Sequence, residues 1–512
     1  MKKTLSIERI LKYYQYLGER KVGFPNVGLR PDGDIFSKEV NKIAEGFKLY
    51  DSLILSNNND YKNEINLTSG NPMKYSPFKP AIKEINKLLN GTELNKYPYS
   101  EGDDRVRIEL LKYLEQEGFI NNEPYQYEDI DDKGLSIHNL TFTVSTSHAF
   151  GIVLDIIAKP YDVVLMTGPN YGLFGFKPER LNAKVEIIPL EEEDNFLINP
   201  KKLEAKIKEI NKKLKEQYKD KLDYTPQVVA FVNSNPCNPT GKVMGINEID
   251  ILTEIGNICK EQGVFIIDDL VYRDLTFDKN NIAKPLGTIP GMFKNTISLF
   301  GLSKSYGLAG MRAGLLVADE VIIREVINRI FQELDAVPAV IGEALKGAFN
   351  TTKKRNKEYQ KYFTKLNSEY EFRYNILKSF INGIDSIKDK KTRDKVYKYI
   401  KRNIPNQEYL SILNTGIEGL KIRQSLEPQA GFFAIIDFTD LKGKKYNNQE
   451  ILTEEELLKF FYKEIKLRFI IGKSMLWPKE DELIGRVTFA KERIEIINYC
   501  IAINKALKKL SN

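Results

Sequence analysis

The stretch Ser303-Lys304-Ser305-Tyr306-Gly307-Leu308-Ala309-Gly310-Met311-Arg312-Ala313-Gly314 sets one lysine between a strand-like run and a glycine-rich turn. The run ahead of it, Thr296 to Phe300, is β-branched and aromatic, so it reads as a strand that delivers Lys304 at its C-terminal end. In open α/β sheets that is the edge at which ligands bind. Arg312 follows 8 residues after Lys304, within reach of the same pocket. A lysine alone would say little, because lysines are mostly exposed. Lysine, glycine turn and arginine in this order form a much rarer pattern, and it marks a good place for a reactive amine.

Outward from this segment, short β-rich runs alternate with helical stretches: Thr141 to Val144, Val163 to Met166, Val228 to Val232, Val264 to Ile267, Thr296 to Phe300 and Gly314 to Val317. Buried strands between helices predict an α/β fold with a mostly parallel sheet. Asp103 and Asp104 cap a helix whose apolar residues recur at helical spacing up to Gly118. Pro200 to Asp223 is rich in Lys and Glu, with Leu203, Ile207, Ile210 and Leu214 on one stripe, which predicts a long surface helix. Residues 1–65 read as an N-terminal arm, with a Pro/Gly-punctuated stretch from Phe24 to Gly33 and polar residues from Ser56 to Asp60. Lys388 to Gln407 reads as a charged insertion.

Composition narrows the function classes. With 512 residues the chain can bury a large core and form two domains. The 77 basic and 70 acidic residues leave a formal charge of only +7, too dilute for a nucleic-acid footprint. No apolar run is long enough to cross a membrane and Met1-Lys2-Lys3 opens no apolar signal core, so a cytoplasmic location is expected. Cys237, Cys259 and Cys500 are too scattered for a disulfide framework or a zinc site, so no metal is expected. With only His138 and His148 in the chain, lysine is the better candidate for a working base.

Further segments share the character of the lysine stretch: Leu67-Thr68-Ser69-Gly70-Asn71-Pro72, Tyr97-Pro98-Tyr99-Ser100-Glu101-Gly102, Thr143-Val144-Ser145-Thr146-Ser147-His148-Ala149, Pro169-Asn170-Tyr171, Asn233 to Gly241, Val264 to Tyr272 and Gly485-Arg486-Val487-Thr488-Phe489-Ala490. In kind and order they resemble the pyridoxal-phosphate site of class I/II aminotransferases, the fold-type-I family, over most of the chain. The resemblance implies a large domain, residues 66–335, with a seven-stranded sheet, and a smaller α/β domain, residues 336–512, carrying a charged insertion near 385–425. Residues 1–65 would be an arm packed on the small domain or on a dimer partner.

It also implies roles. Lys304 would carry pyridoxal 5'-phosphate as an internal aldimine and serve as base, and Asp269, rather than Asp268, would face the pyridine nitrogen. Asn238 and Tyr272 would bind the phenolic oxygen, and Tyr171 would stack on the ring. Ser145, Thr146, Ser147, Ser303 and Arg312 would hold the phosphate, joined by Tyr97 of the neighbouring subunit in a homodimer with shared sites. Arg486, with Gly70, Asn71 and Asn238, would bind the substrate carboxylate. Two departures stand out: Ser145 to Ser147 occupy places where glycine or alanine is commoner, and Gly301 stands where some members have a phosphate-binding serine.

The function so implied is transamination between an L-amino acid and a 2-oxo acid by a ping-pong mechanism. The same apparatus also serves decarboxylases, lyases and aminocyclopropane-carboxylate synthases, and a cofactor-binding regulator is the remaining class; Leu67 is preceded by no helix-turn-helix with a basic face. Arg30 and Arg329 are candidates for a second, dicarboxylate-binding arginine.

Overall fold

The computed structural model describes residues 38–56, 64–72, 75–122, 125–126 and 134–511. The Phe24 to Gly33 stretch, Arg30 with it, lies outside the described residues, as do 57–63.

The strands that matter for the site are β1 (Ile65–Asn66), β2 (Leu140–Thr143), β3 (Val163–Gly168), β4 (Lys184–Pro189), β5 (Val228–Ser234), β6 (Phe265–Asp269), β7 (Thr296–Gly301) and β8 (Gly314–Val317). Seven of them form one sheet in the order β2-β8-β7-β6-β5-β3-β4. Only β8 runs against its neighbours; every other pairing is parallel. The mostly parallel, seven-stranded sheet expected from the sequence is therefore present. Six of its strands coincide within a few residues with the β-rich runs. The seventh, β4, pairs only with β3 at the sheet edge, and its Lys184 and Glu186 are half-buried. An edge strand with one wet face lacks the continuous apolar run that betrays a central one.

Helices flank the sheet where the periodicity places them. Asp104–Glu117 starts at the Asp103 carboxylate, which accepts from Arg105 N at 2.8 Å, and ends at Gly118 in the left-handed region, φ 92°. Pro200–Gln217 buries Leu203, Ile207, Ile210 and Leu214, the four stripe residues, and starts at Asn199. The charged region at 388–407 is largely the helix Lys390–Asn403, which buries only Val396 and Ile400.

A second, antiparallel sheet is built from Ile470–Ile471, Ile484–Thr488 and Phe433–Asp437, with Ile484–Thr488 in the centre. Chain from far upstream is bonded beside it: β1 forms a separate two-stranded parallel sheet with Leu467–Arg468, Leu67 N donates to Arg468 O at 2.8 Å, and Thr488 N donates to Leu67 O at 3.1 Å. These bonds carry residues 68–71 past Arg486. The helix Lys38–Ser56 buries Val40 and Ile43 completely, and its Tyr50 hydroxyl accepts from Ile471 N at 2.8 Å. Among the described residues, no helix is long and apolar enough to cross a membrane.

Candidate active site

One sheet edge gathers the chemistry. β2, β3, β5, β6 and β7 all run the same way, so their C-terminal ends share an edge, and antiparallel β8 starts at that edge. The residues just past those ends, and just before β8, line a cavity of about 710 Å³: Ser145 to Ser147 after β2, Tyr171 after β3, Asn238 after β5, Asp269 and Tyr272 at β6, Ser303 and Lys304 after β7, and Arg312 ahead of β8. Arg486 comes to the same cavity from the second sheet, and Gly70 and Asn71 come from the segment after β1 that is bonded beside it. Every expected site residue except Tyr97 therefore lines one space.

Successive residues of a strand point to opposite faces, which separates the two acids of β6. Asp269 faces the cavity and accepts from Val271 N at 3.2 Å. Burial pushes its carboxyl up to about 7, opposed by the Val271 amide and by the charge of Lys304. Asp268, on the other face, accepts from Asn233 Nδ2 at 2.8 Å and from Leu286 N at 2.9 Å, so it is consumed in holding a neighbouring side chain and a neighbouring backbone amide. Lys304 Nζ donates to Gly70 O at 2.6 Å. Its amine is pushed down to about 8, first by burial and then by the charges of Arg486 and Arg312, with Asp269 opposing. Burial raises the hydroxyl pKa of both Tyr272 and Tyr171.

At one end of the cavity lies the start of the helix Thr146–Ile157. Ser145, its N-cap, has φ 83° and ψ 164° and makes no side-chain cap bond. That backbone region is essentially glycine's, so the serine is held under strain, and Thr146 and Ser147, the first residues of the helix, line the cavity. Gly314 leaves room for this turn: a Cβ there would lie 2.6 Å from Thr143 Oγ1 and 2.8 Å from Ser145 C. At Gly301 a Cβ would meet Thr146 Cγ2 at 3.0 Å and Val271 Cγ2 at 3.1 Å, so the threonine methyl already fills the place where a serine was missed. Arg312 sits in the left-handed region, φ 55°, with Nη1 donating to Ala309 O at 3.0 Å. His148 Nδ1 accepts from Val144 N at 3.1 Å, which ties the turn rather than offering a base.

Arg486, which also lines the cavity, is buried at 8% exposure. Nη1 donates to Asn238 Oδ1 at 3.0 Å, Nη2 donates to Thr68 O at 2.9 Å, and the guanidinium lies 4.0 Å from the centre of the Phe433 ring. Its Nε is buried without a partner, and among the described residues no carboxylate pairs with it. Lys304, Arg312 and Arg486 thus face a cavity whose lining holds a single carboxylate, Asp269. A buried unpaired cation is costly unless an anion completes it. The lining therefore suits a ligand with an anionic group at the Thr146 helix end and another at Arg486.

Tyr97 lies outside the cavity and is 91% exposed. Arg329 pairs with Glu325 at 3.0 Å on its own helix. Sequence reasoning missed several lining residues, among them Phe47, Thr68, Ile470, Ser474 and Met475. Thr68 acts through its carbonyl, which every residue type has, and Phe47 belongs to the helix Lys38–Ser56, inside the 1–65 segment whose sequence carries no motif of the site.

Cavities where parallel strands end are where α/β proteins hold phosphorylated small molecules, and a half-buried amine of lowered pKa beside a carboxylate makes this one suited to covalent chemistry on a carbonyl. The family model for aminotransferase class I and II matches residues 62–392, and the chain belongs to that family, whose members use pyridoxal phosphate. Among curated relatives, an aspartate aminotransferase of Musicola paradisiaca is 28% identical over 305 residues, covering 59% of this chain and 63% of that one. A histidinol-phosphate aminotransferase of Candida maltosa is 28% identical over 257 residues, covering 50% and 57%. The matched part thus spans about six tenths of the length of these relatives. Among solved structures, the aspartate aminotransferase from Rhizobium meliloti superposes with a TM-score of 0.70 at 14% identity, over 96% of this chain and 100% of that one. The aromatic aminotransferase from Pyrococcus horikoshii gives 0.63 at 19%, over 90% and 99%. At such identities the likeness establishes the fold.

Proposed function

We propose that the protein is an aminotransferase that moves an amino group between an L-amino acid and a 2-oxo acid with pyridoxal 5'-phosphate bound through Lys304. The observation that carries this reading is the half-buried Lys304 amine on Gly70 O, in one cavity with Asp269 and with Arg486, which has no carboxylate partner among the described residues. Residues 66–335 would form the cofactor domain and 336–512 the smaller one.

Ser145, Thr146, Ser147, Ser303 and Arg312 would hold the phosphate, Asp269 the protonated ring nitrogen, Asn238 and Tyr272 the phenolic oxygen, and Tyr171 a ring face. When bound, the cofactor supplies an electron sink for the pair left when the α C–H bond breaks. Arg486 grips the substrate α-carboxylate with the Nη hydrogens that Asn238 and Thr68 leave unused, and those two partners fix the guanidinium plane. Gly70 and Asn71 line the same end, where the Gly70 carbonyl orients Lys304 Nζ. Lys304 Nζ then takes the proton from the substrate α-carbon, a task that a neutral amine near physiological pH can perform.

A homodimer with shared sites fits the exposed rings. Tyr97 and Tyr99 are 91% and 74% exposed, and Phe331 is 61% exposed on the helix leading to Asp335, whose carbonyl accepts from Ser100 Oγ at 2.7 Å. Such a patch is the kind that a second subunit covers. A cytoplasmic location completes the proposal.

The test is a screen of L-amino acids against 2-oxoglutarate with purified protein, following the new 2-oxo acid and the aminated cofactor. Ping-pong turnover that Lys304→Ala abolishes is expected. Release of carbon dioxide or ammonia in place of a 2-oxo acid would overturn it in favour of a lyase.

A further inference from the structure

A second cavity, of about 350 Å³, shares no lining residue with the first. It lies where two helices begin: Lys79 and Pro80 open the helix Lys79–Leu89, and Thr352 caps the 29-residue helix Lys353–Ile381. Thr352 Oγ1 accepts only from Arg355 N, at 3.3 Å, and among the described residues the Lys353 and Lys354 amides have no acceptor. The partial positive charge of both helix ends is therefore directed at this region.

The second, independent observation is Arg355. It lines the cavity yet is only 6% exposed, and its Nε is buried without a hydrogen-bond partner. Its guanidinium lies 5.1 Å from the Phe78 ring centre and 4.5 Å from that of Tyr359, so aromatic surface holds it in place. Among the described residues no carboxylate pairs with Arg355, nor with Lys79, Lys83 or Lys354. The acids of the lining do not balance them. Glu84 is taken by Lys87 at 2.7 Å and by Lys346 at 3.8 Å, which leaves Glu358 alone. A buried, planar cation with no carboxylate partner, in one cavity with lysines at two helix starts that also pair with no carboxylate, is the donor set for a compact, multiply charged oxyanion.

We propose that this cavity binds a phosphoryl group, inorganic or carried on a small organic phosphate, at Arg355 with Lys79, Lys83 and Lys354. The reading is independent of transamination, since it involves none of the residues around Lys304. Isothermal titration of the cofactor-loaded protein with inorganic phosphate, inorganic pyrophosphate and a hexose phosphate tests it. Saturable binding is expected for at least one of the three. Tighter binding of the hexose phosphate would assign an organic ligand, and tighter binding of phosphate or pyrophosphate an inorganic one. Arg355→Met is expected to weaken binding about tenfold or more, as loss of a charge-assisted bond does. The double variant Lys83→Ala/Lys354→Ala should weaken it and flatten its salt dependence, whereas Arg486→Met should leave it unchanged. If Arg355→Met does not fold, the double variant at exposed positions decides alone. Absence of saturable heat with all three probes, or affinities that neither change touches, would overturn the proposal.

Discussion

Lys304 should capture the cofactor's aldehyde at a pH where an ordinary lysine is inert, and the size of that advantage follows from its surroundings. Only the neutral amine attacks a carbonyl. Burial, aided by Arg486 and Arg312, brings the amine down to about 8 from its ordinary 10.5. At about pH 7.5 this leaves roughly a quarter of the amine neutral, against about one part in a thousand for an unperturbed lysine, an advantage of roughly 200-fold in reactive form. A less basic amine is also a weaker nucleophile, so the gain in rate is smaller than that ratio, and the midpoint is the diagnostic quantity. The assay mixes cofactor-free protein with pyridoxal phosphate across a pH series and follows the absorbance of the bound form. A simple alkyl amine run alongside cancels the aldehyde's own titration. The rate should rise with pH through about 8 and then level off. Because the Arg486 charge is the second cause of the depression, Arg486→Met should move the midpoint upward. A wild-type midpoint near that of free lysine, about 10, would refute the electrostatic reasoning.

Arg486→Met should also cost roughly 2–5 kcal/mol in kcat/KM for α-amino acids, about 30-fold to several thousand-fold, with Arg486→Lys intermediate because a point charge cannot reproduce the fork. Steady-state kinetics with an amino acid and with the matching amine lacking the carboxylate checks this, and an equal loss for both would rule out a carboxylate anchor. Gly70→Ala places a methyl 3.2 Å from Lys304 Nζ and 3.6 Å from Phe433 Cζ without entering any backbone. Turnover should fall about tenfold or more while the melting temperature stays close to wild type, and unchanged turnover would mean that the amine does not work from its position on Gly70 O.

The sequence by itself determined the strands, the order of the motifs and the residue types at each strand end. Six of the seven strands of the main sheet, edge strand β2 included, are apolar runs because both of their faces are covered, and the stripe Leu203, Ile207, Ile210 and Leu214 defines its helix because that face is buried. Lys304 and Arg312 were legible because a glycine-rich turn after a strand is a local signal. What tertiary structure decided is everything that depends on which strands lie side by side. Antiparallel β8 brings Arg312 to the edge where the parallel strands end, and the alternation of β6 sends Asp269 into the cavity and Asp268 to the Leu286 amide. The carbonyls of Gly70 and Thr68 meet Lys304 and Arg486 across 234 and 418 residues of chain. Partners so far apart leave no local pattern, because a backbone carbonyl carries no residue identity and its place is set only when the two sheets are joined.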